Sequence, residues 1–245
     1  MPEGPSIVIA KELLQKFKRK KIISATGNAK INMDILANQK IISIRSWGKH
    51  LLICLPALTI RIHFLMFGSY SIDENTKQQR SIRLCLNFAK HKIYFYTCSV
   101  KLIEGNINDT YDWSSDIMND DWDAKKALKK IKELDNEYIC DVLLNQEIFA
   151  GVGNIIKNEV LYRVKIHPES IASKIPTRQL NLIIKEARNY SFDFLKWKKE
   201  FVLKKHWLAH TKKTCLRCDL PLIKKYCGTT KRRTFFCNKC QLLYK

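Results

Sequence analysis

Apolar side chains at Ala10, Leu13, Leu14 and Phe17 recur at the spacing of one helix face, with Lys11, Lys16 and Lys18 outside it. A helix over 5–17 that packs against a neighbouring layer is therefore predicted. Past the basic run Lys18-Arg19-Lys20-Lys21 the period falls to two. Thr59-Ile-Arg-Ile-His-Phe64 and Ser81-Ile-Arg-Leu-Cys-Leu86 alternate clearly, and strands are predicted over 22–25, 41–47, 50–55, 58–65, 81–88 and 92–102. Gly48 and residues 89–91 supply turns, so the first half is expected to be an antiparallel β-sandwich with a flanking helix. Between 104 and 123 the chain turns to Asn, Asp, Ser and Trp, which marks a linker. Beyond it the period is helical over 124–134, 139–144, 154–164 and 177–197, with a loop at 145–153. The expected class is α+β with two main domains and a small terminal appendage: a sandwich over 1–118, helices over 119–210, and a ribbon over 211–245.

Charge changes this picture. The 245 residues hold 44 Lys and Arg against 23 Asp and Glu, a net +21. Such an excess calls for a polyanionic partner, nucleic acid first and an anionic membrane surface second. No apolar run approaches the roughly 20 residues that span a bilayer, and no signal peptide or lipidation motif is evident. An intracellular protein, in cytoplasm or nucleoid, is expected. The field is concentrated late: residues 196–245 carry 15 Lys and Arg against 2 Asp and Glu, which is +13 of the total.

Nine cysteines make an odd set, unsuited to a complete disulfide framework. Cys54, Cys85, Cys98 and Cys140 lie in apolar surroundings and read as small core residues. Cys215 and Cys218, then Cys237 and Cys240, form two C-x2-C pairs with 18 residues between them. Four thiolates on paired knuckles close a tetrahedral site with no open position, so one structural Zn2+ is expected, holding a ribbon too small to fold alone. Cys227 is left as the spare.

Four further stretches carry candidate chemistry. If the initiator is removed, the start Met1-Pro2-Glu3-Gly4-Pro5-Ser6 leaves Pro2 as an N-terminal secondary amine. Its reference pKa of about 7.7–8.0 leaves part of it neutral and nucleophilic near pH 7, beside Glu3 for proton transfer. The same residues also suit a stiff lead-in to a helix. Phe149-Ala-Gly-Val-Gly-Asn154 opens a predicted helix, either as a phosphate cradle with Asn154 as both cap and donor or as an ordinary capped turn. Lys49 follows a tight turn between two apolar strands. His63-Phe-Leu-Met-Phe-Gly-Ser69 places four large apolar residues before a glycine; buried they are core, and exposed they are a wedge that fills the hole left by an extruded base. The basic loop Gly228-Thr-Thr-Lys-Arg-Arg-Thr234, flanked by Phe235 and Phe236, can pair with phosphates while the aromatics pack beneath.

Taken together and in this order, the motifs resemble those of the formamidopyrimidine-DNA glycosylase and endonuclease VIII family, along essentially the whole chain. The resemblance implies a β-sandwich domain and a helix-two-turn-helix domain with a zinc ribbon, flanking a DNA groove, in a monomer that acts on damaged DNA. Pro2 resembles the nucleophile that attacks C1′ of a damaged nucleoside, and Glu3 the acid that promotes ring opening and base departure. Lys49 is placed like the groove lysine near the lesion phosphate, and Asn154 and Arg232 like the residues that grip the flanking phosphates. The implied activity is a glycosylase and an abasic-site lyase in one, cutting by β,δ-elimination.

Departures narrow the substrate. Ser6 stands where many members have a second glutamate, and no Asp-Pro-x-Arg-x-Gly segment supplies a separate arginine and phenylalanine. Leu65, Met66 and Phe67 are then the wedge, as in the endonuclease VIII branch. No long Gly-rich loop separates Trp197 from Cys215, so oxidised pyrimidines or further-oxidised guanines are expected over formamidopyrimidine and 8-oxoguanine. A non-catalytic zinc-ribbon binder of nucleic acid, ribosomal proteins included, would explain the charge and the metal but not the Pro-Glu start or the β-rich first half.

Overall fold

The computed structural model describes residues 2–245, which divide into two compact units, the first ending at Tyr111 and the second running Asp112–Lys245. Met1, whose removal would free the Pro2 amine, lies outside the described residues.

The first unit opens on α1 (Gly4–Leu14), continued by a 3-10 turn at Gln15–Phe17. Eight strands follow: β1 (Ser24–Thr26), β2 (Ser43–Trp47), β3 (His50–Cys54), β4 (Leu58–His63), β5 (Ser69–Ile72), β6 (Ile82–Asn87), β7 (Lys92–Tyr96) and β8 (Ser99–Glu104). They form two four-stranded antiparallel sheets, ordered β1-β6-β7-β5 and β2-β3-β4-β8. Ile44, Ile53, Ile60 and Ile62 of one sheet and Leu84, Leu86, Ile93 and Phe95 of the other share a single core. Each fully buried side chain of this size contributes about 1.5–3 kcal/mol. The face that α1 adds to it is Ile7, Ala10 and Leu14, extended by Phe17. Leu13, expected on that face, falls just past its edge and is exposed, while Ile7 closes the stripe one turn earlier.

Two strand expectations change. The segment 92–102 is not one strand but two in different sheets, because Thr97 takes a left-handed φ of 48° and turns the chain between them. β5 was not anticipated: all four of its residues are half-buried, so no period-two signal exists to read. The boundary between the two units falls inside the acidic segment expected as a linker, and that segment is ordered. Asp112 accepts from the Ser114 amide and the Ser114 and Ser115 hydroxyls, and it pairs with Lys126 and Lys130.

The second unit contains α3 (Ala124–Lys132), α4 (Ile139–Val142), α5 (Asn154–Arg163) and α6 (Thr177–Lys199), the short α2 (Ile107–Thr110) belonging to the first. Asp123 caps α3 through Oδ1, which accepts from the amides of Lys125 and Lys126. Ile139, Val142, Phe149, Ile156, Val160, Ile183 and Ala187 lie in one core, which also takes in Phe236 of the hairpin β9 (Ile223–Cys227) and β10 (Arg232–Phe236). The expected α+β organisation is thus present, with sheets first, helices next and a four-cysteine cluster last. Cys54, Cys85, Cys98 and Cys140 are all buried core residues; burial pushes the Cys98 and Cys140 thiols up to about 12.

Candidate active site and nucleic-acid contacts

In the first unit Glu3 is the N-cap residue of α1, its carbonyl accepting from the amides of Ser6 and Ile7 at 2.8 and 3.3 Å. Its side chain makes no capping bond and is fully buried. A carboxyl group is almost never buried so deep unless it is paired. Pro2 beside it is half-buried, as is Ser6.

Lys49 occupies the two-residue turn between β2 and β3, where Trp47 faces His50 across the ladder. Behind it stands a group the sequence reading missed. His50 faces His63 on β4 with rings 5.3 Å apart, and its Nδ1 lies 3.2 Å from the Tyr111 hydroxyl, with Trp47 against Tyr111. Burial first, then Arg61, His63 and Lys49, pushes His50 down to about 3; burial, Lys49 and Arg61 also lower His63. Both imidazoles are neutral near pH 7, so the positive charge here belongs to Lys49 and Arg61. The available signal was the register, which only the fold supplies.

The loop after β4 leaves the core. Phe64 is buried at 3%, but Leu65, Met66 and Phe67 are 49%, 50% and 80% exposed. Leu65 sits at a left-handed φ of 53°, and the Gly68 amide returns to the Phe64 carbonyl at 2.7 Å. A Cβ on Gly68 would come within 2.2 Å of that oxygen, so only glycine closes the loop. Three apolar side chains are thereby held out in solvent.

In the second unit the glycine turn differs from expectation. The N-cap of α5 is Gly153, not Asn154. The Gly151 amide donates to Gln146 Oε1, the Val152 amide to the Phe149 carbonyl and the Ala150 amide to the Ser115 carbonyl. These three donors are satisfied internally, so residues 150–152 form no open anion cradle. Asn154 instead donates through Nδ2 to the Arg233 carbonyl at 2.8 Å, while its Oδ1 is buried without a partner. α5 has no amphipathic stripe because polar residues are buried along it. Lys157 Nζ reaches Thr234 Oγ1 at 2.7 Å, Asn158 Oδ1 accepts from the Phe235 amide, and Glu159 accepts the amides of Leu208, Ala209 and His210 at 2.8–2.9 Å.

The hairpin tip is fixed from below. The buried Asp141 of α4 accepts from the amides and hydroxyls of both Thr229 and Thr230. Gly228, at φ 74°, is pressed so close that a Cβ would lie 2.1 Å from Asp141 Oδ2. Asp141 was invisible in the sequence because its partners are nearly 90 positions away. Asp141→Ala leaves two turn amides unpaired and is expected to cost about 2–3 kcal/mol. The measurement is the denaturant midpoint together with proteolysis within 213–245, and parental values for both would remove Asp141 from this role. The tip displays Lys231, Arg232 and Arg233 to solvent over the buried Thr234, Phe235 and Phe236. Arg233 hydrogen-bonds the Tyr226 phenol and lowers its pKa; Arg232 has no acidic partner among the described residues.

Cys215, Cys218, Cys237 and Cys240 bring their Sγ atoms within 4.8 Å of one another, a group that could hold a metal ion. Arg217 donates to Cys240 Sγ through Nε and Nη2 at 3.2 and 3.0 Å, and the Tyr162 hydroxyl lies 3.3 Å from Cys215 Sγ. Such outer partners orient thiolates and offset their charge. Cys227 stays outside, buried in the helical core.

Residues 1–101 match the formamidopyrimidine-DNA glycosylase N-terminal domain, and residues 114–192 match the formamidopyrimidine-DNA glycosylase H2TH domain. The formamidopyrimidine-DNA glycosylase of Lactobacillus helveticus (strain DPC 4571) is 30% identical, with all of both chains covered. The chain belongs to the formamidopyrimidine-DNA glycosylase family. Within this family it is also 29% identical to endonuclease 8-like 3 of Xenopus laevis over 90% of its own length, and 26% identical to human endonuclease 8-like 2 over 74%. It spans 38% and 57% of those two relatives' lengths. The glycosylase fold is shared with Lactococcus lactis Fpg bound to DNA containing an AP site, with a TM-score of 0.86 at 22% identity over 98% of this chain and 99% of that one. No helix among the family member's described residues is long and apolar enough to cross a membrane.

Proposed function

We propose that the protein is a bifunctional DNA glycosylase and abasic-site lyase of base-excision repair, acting on oxidised bases inside the cell, in cytoplasm or nucleoid. The observation that carries this reading is the fully buried Glu3 carboxyl at the head of α1, next to Pro2. With Met1 removed, the Pro2 amine attacks C1′ of the damaged nucleoside. Glu3 delivers the proton that opens the sugar ring and lets the base leave. The iminium acidifies C2′, and successive eliminations break the 3′ and then the 5′ phosphate ester. Lys49 holds the lesion phosphate. Arg232, and Asn154 through its remaining Nδ2 hydrogen, grip the flanking ones. Leu65, Met66 and Phe67 enter the stack that the nucleotide has left.

The metal is proposed to be one structural Zn2+ on Cys215, Cys218, Cys237 and Cys240. Tetrahedral zinc with Zn–S bonds of about 2.3 Å sets sulfurs roughly 3.8 Å apart, and Cys215 and Cys240 already stand at 3.7 Å. Its contribution is to hold the ribbon that carries Arg232; no proton or bond change involves it.

Borohydride treatment of the protein with abasic DNA tests the whole reading. A covalent adduct is expected, and its absence with correctly processed protein overturns the enzyme assignment. Arg232→Ala is expected to weaken damaged and undamaged duplex alike and to reduce the salt slope by about 1; an unchanged slope would remove Arg232 from the phosphate grip. For the substrate, oxidised pyrimidines such as thymine glycol and dihydrouracil, or further-oxidised guanines, are expected to be released faster than 8-oxoguanine opposite cytosine. The reverse order in a panel of defined lesions would place the protein with the purine-specific members.

A further inference from the structure

The end of α6 carries a feature that neither the catalytic reading nor the ribbon uses. Phe201 follows the last helical turn with a left-handed φ of 59°, and its side chain is 96% exposed, more than any other large apolar residue described. Its amide returns to the Lys198 carbonyl and that of Val202 to the Trp197 carbonyl, the closing pattern in which the left-handed position normally belongs to glycine. A phenylalanine there bears backbone strain with no packing in return. The segment beneath is anchored. Trp197 stacks on His206 at 4.0 Å and 3° and meets the Tyr190 ring edge-on, and Trp197 and Leu203 pack against the helical core. On either side of Phe201 in the chain stand Lys196, Lys198, Lys204 and Lys205, all exposed, with Glu200 the one acid among residues 196–206.

We propose that Phe201 and these lysines form a further nucleic-acid contact surface, on which the ring stacks a base of single-stranded DNA while the ammonium groups track its phosphates. An exposed aromatic on a rigid support within a basic field is the arrangement that binds single strands without reading sequence. In duplex DNA the base faces are already stacked, so the ring discriminates for strands that are open. The surface lies wholly within the second unit and does not depend on the glycosylase assignment.

The test uses full-length protein and a short undamaged oligothymidylate, with anisotropy as the readout, beside a blunt duplex and phosphatidylserine vesicles. Phe201→Ala is expected to weaken the single strand about tenfold and leave the duplex within about twofold; Phe201→Tyr retains binding. Phe201→Gly is expected to weaken the single strand as alanine does while raising the melting temperature by a few degrees, because glycine relieves the strain. Lys204→Ala with Lys205→Ala flattens the salt dependence of single-strand binding. Parental single-strand affinity in both Phe201→Ala and Phe201→Gly overturns the proposal, as does a Phe201 effect confined to vesicles. Borohydride trapping of the same variants separates the two assignments, since loss of this surface leaves the Pro2 chemistry intact.

Discussion

Retention of Met1, or replacement of Pro2 by glycine, is expected to abolish the borohydride-trapped adduct with abasic DNA. Retention converts the proline nitrogen to an amide, whose lone pair is delocalised, and moves the nearest free amine one residue away, about 3.8 Å along the chain. A displacement of about 1 Å already costs on the order of 10²-fold, so the loss should exceed that. Glycine keeps an amine but not the ring that fixes φ, and its imine is neutral unless protonated, whereas a secondary amine gives a cationic iminium directly. Glu3→Gln should behave differently. With its carboxyl assigned to base departure in the proposed mechanism, release of a damaged base is expected to fall by about 10²- to 10⁴-fold while trapping on a preformed abasic site persists. Circular dichroism checks that this buried position still folds. Parental trapping by Pro2→Gly would place the nucleophile on another residue.

Stripping the metal, or Cys237→Ser, should disorder the chain from about Cys215 onward and end DNA binding while the first unit stays folded. Structural zinc sites contribute an apparent free energy of roughly 10–16 kcal/mol, and a two-stranded hairpin is marginal on its own. The sandwich has its own core of Ile, Leu and Phe residues and does not need the metal. Hydrogen exchange read per segment checks both halves of the expectation. Active protein holding much less than one zinc per chain, or exchange that is unchanged beyond Cys215 after chelation, would contradict it.

Much of this was legible in the residues. Strict alternation over 59–64 and 81–86 placed β4 and β6, and the paired C-x2-C spacing marked the four cysteines that cluster. What escaped reading did so for two reasons, a missing period in one case and partners distant in sequence in the others. β5 is half-buried on both faces and alternates with nothing. Asp141 resembles any helix aspartate until Thr229 and Thr230 return to it. The His50–His63 pair exists only through strand register. Of the two readings of the glycine turn, the capped turn is the one found over 150–152, where Gln146, Phe149 and Ser115 take the amides that a phosphate cradle would leave open.

The buried polar side chains of α5 bear on how freely this protein can be recombined. A four-cysteine ribbon at one end of a chain looks like a cassette to be exchanged among relatives. Here Asn154, Lys157 and Asn158 bond to Arg233, Thr234 and Phe235, and Glu159 binds the backbone leading into the ribbon. A chimera that imported a foreign ribbon would leave a lysine and an asparagine sealed in the interior facing mismatched neighbours. Asp141 of α4 also holds the hairpin tip, so the seam of a workable graft lies before α4, and both helices must travel with the ribbon.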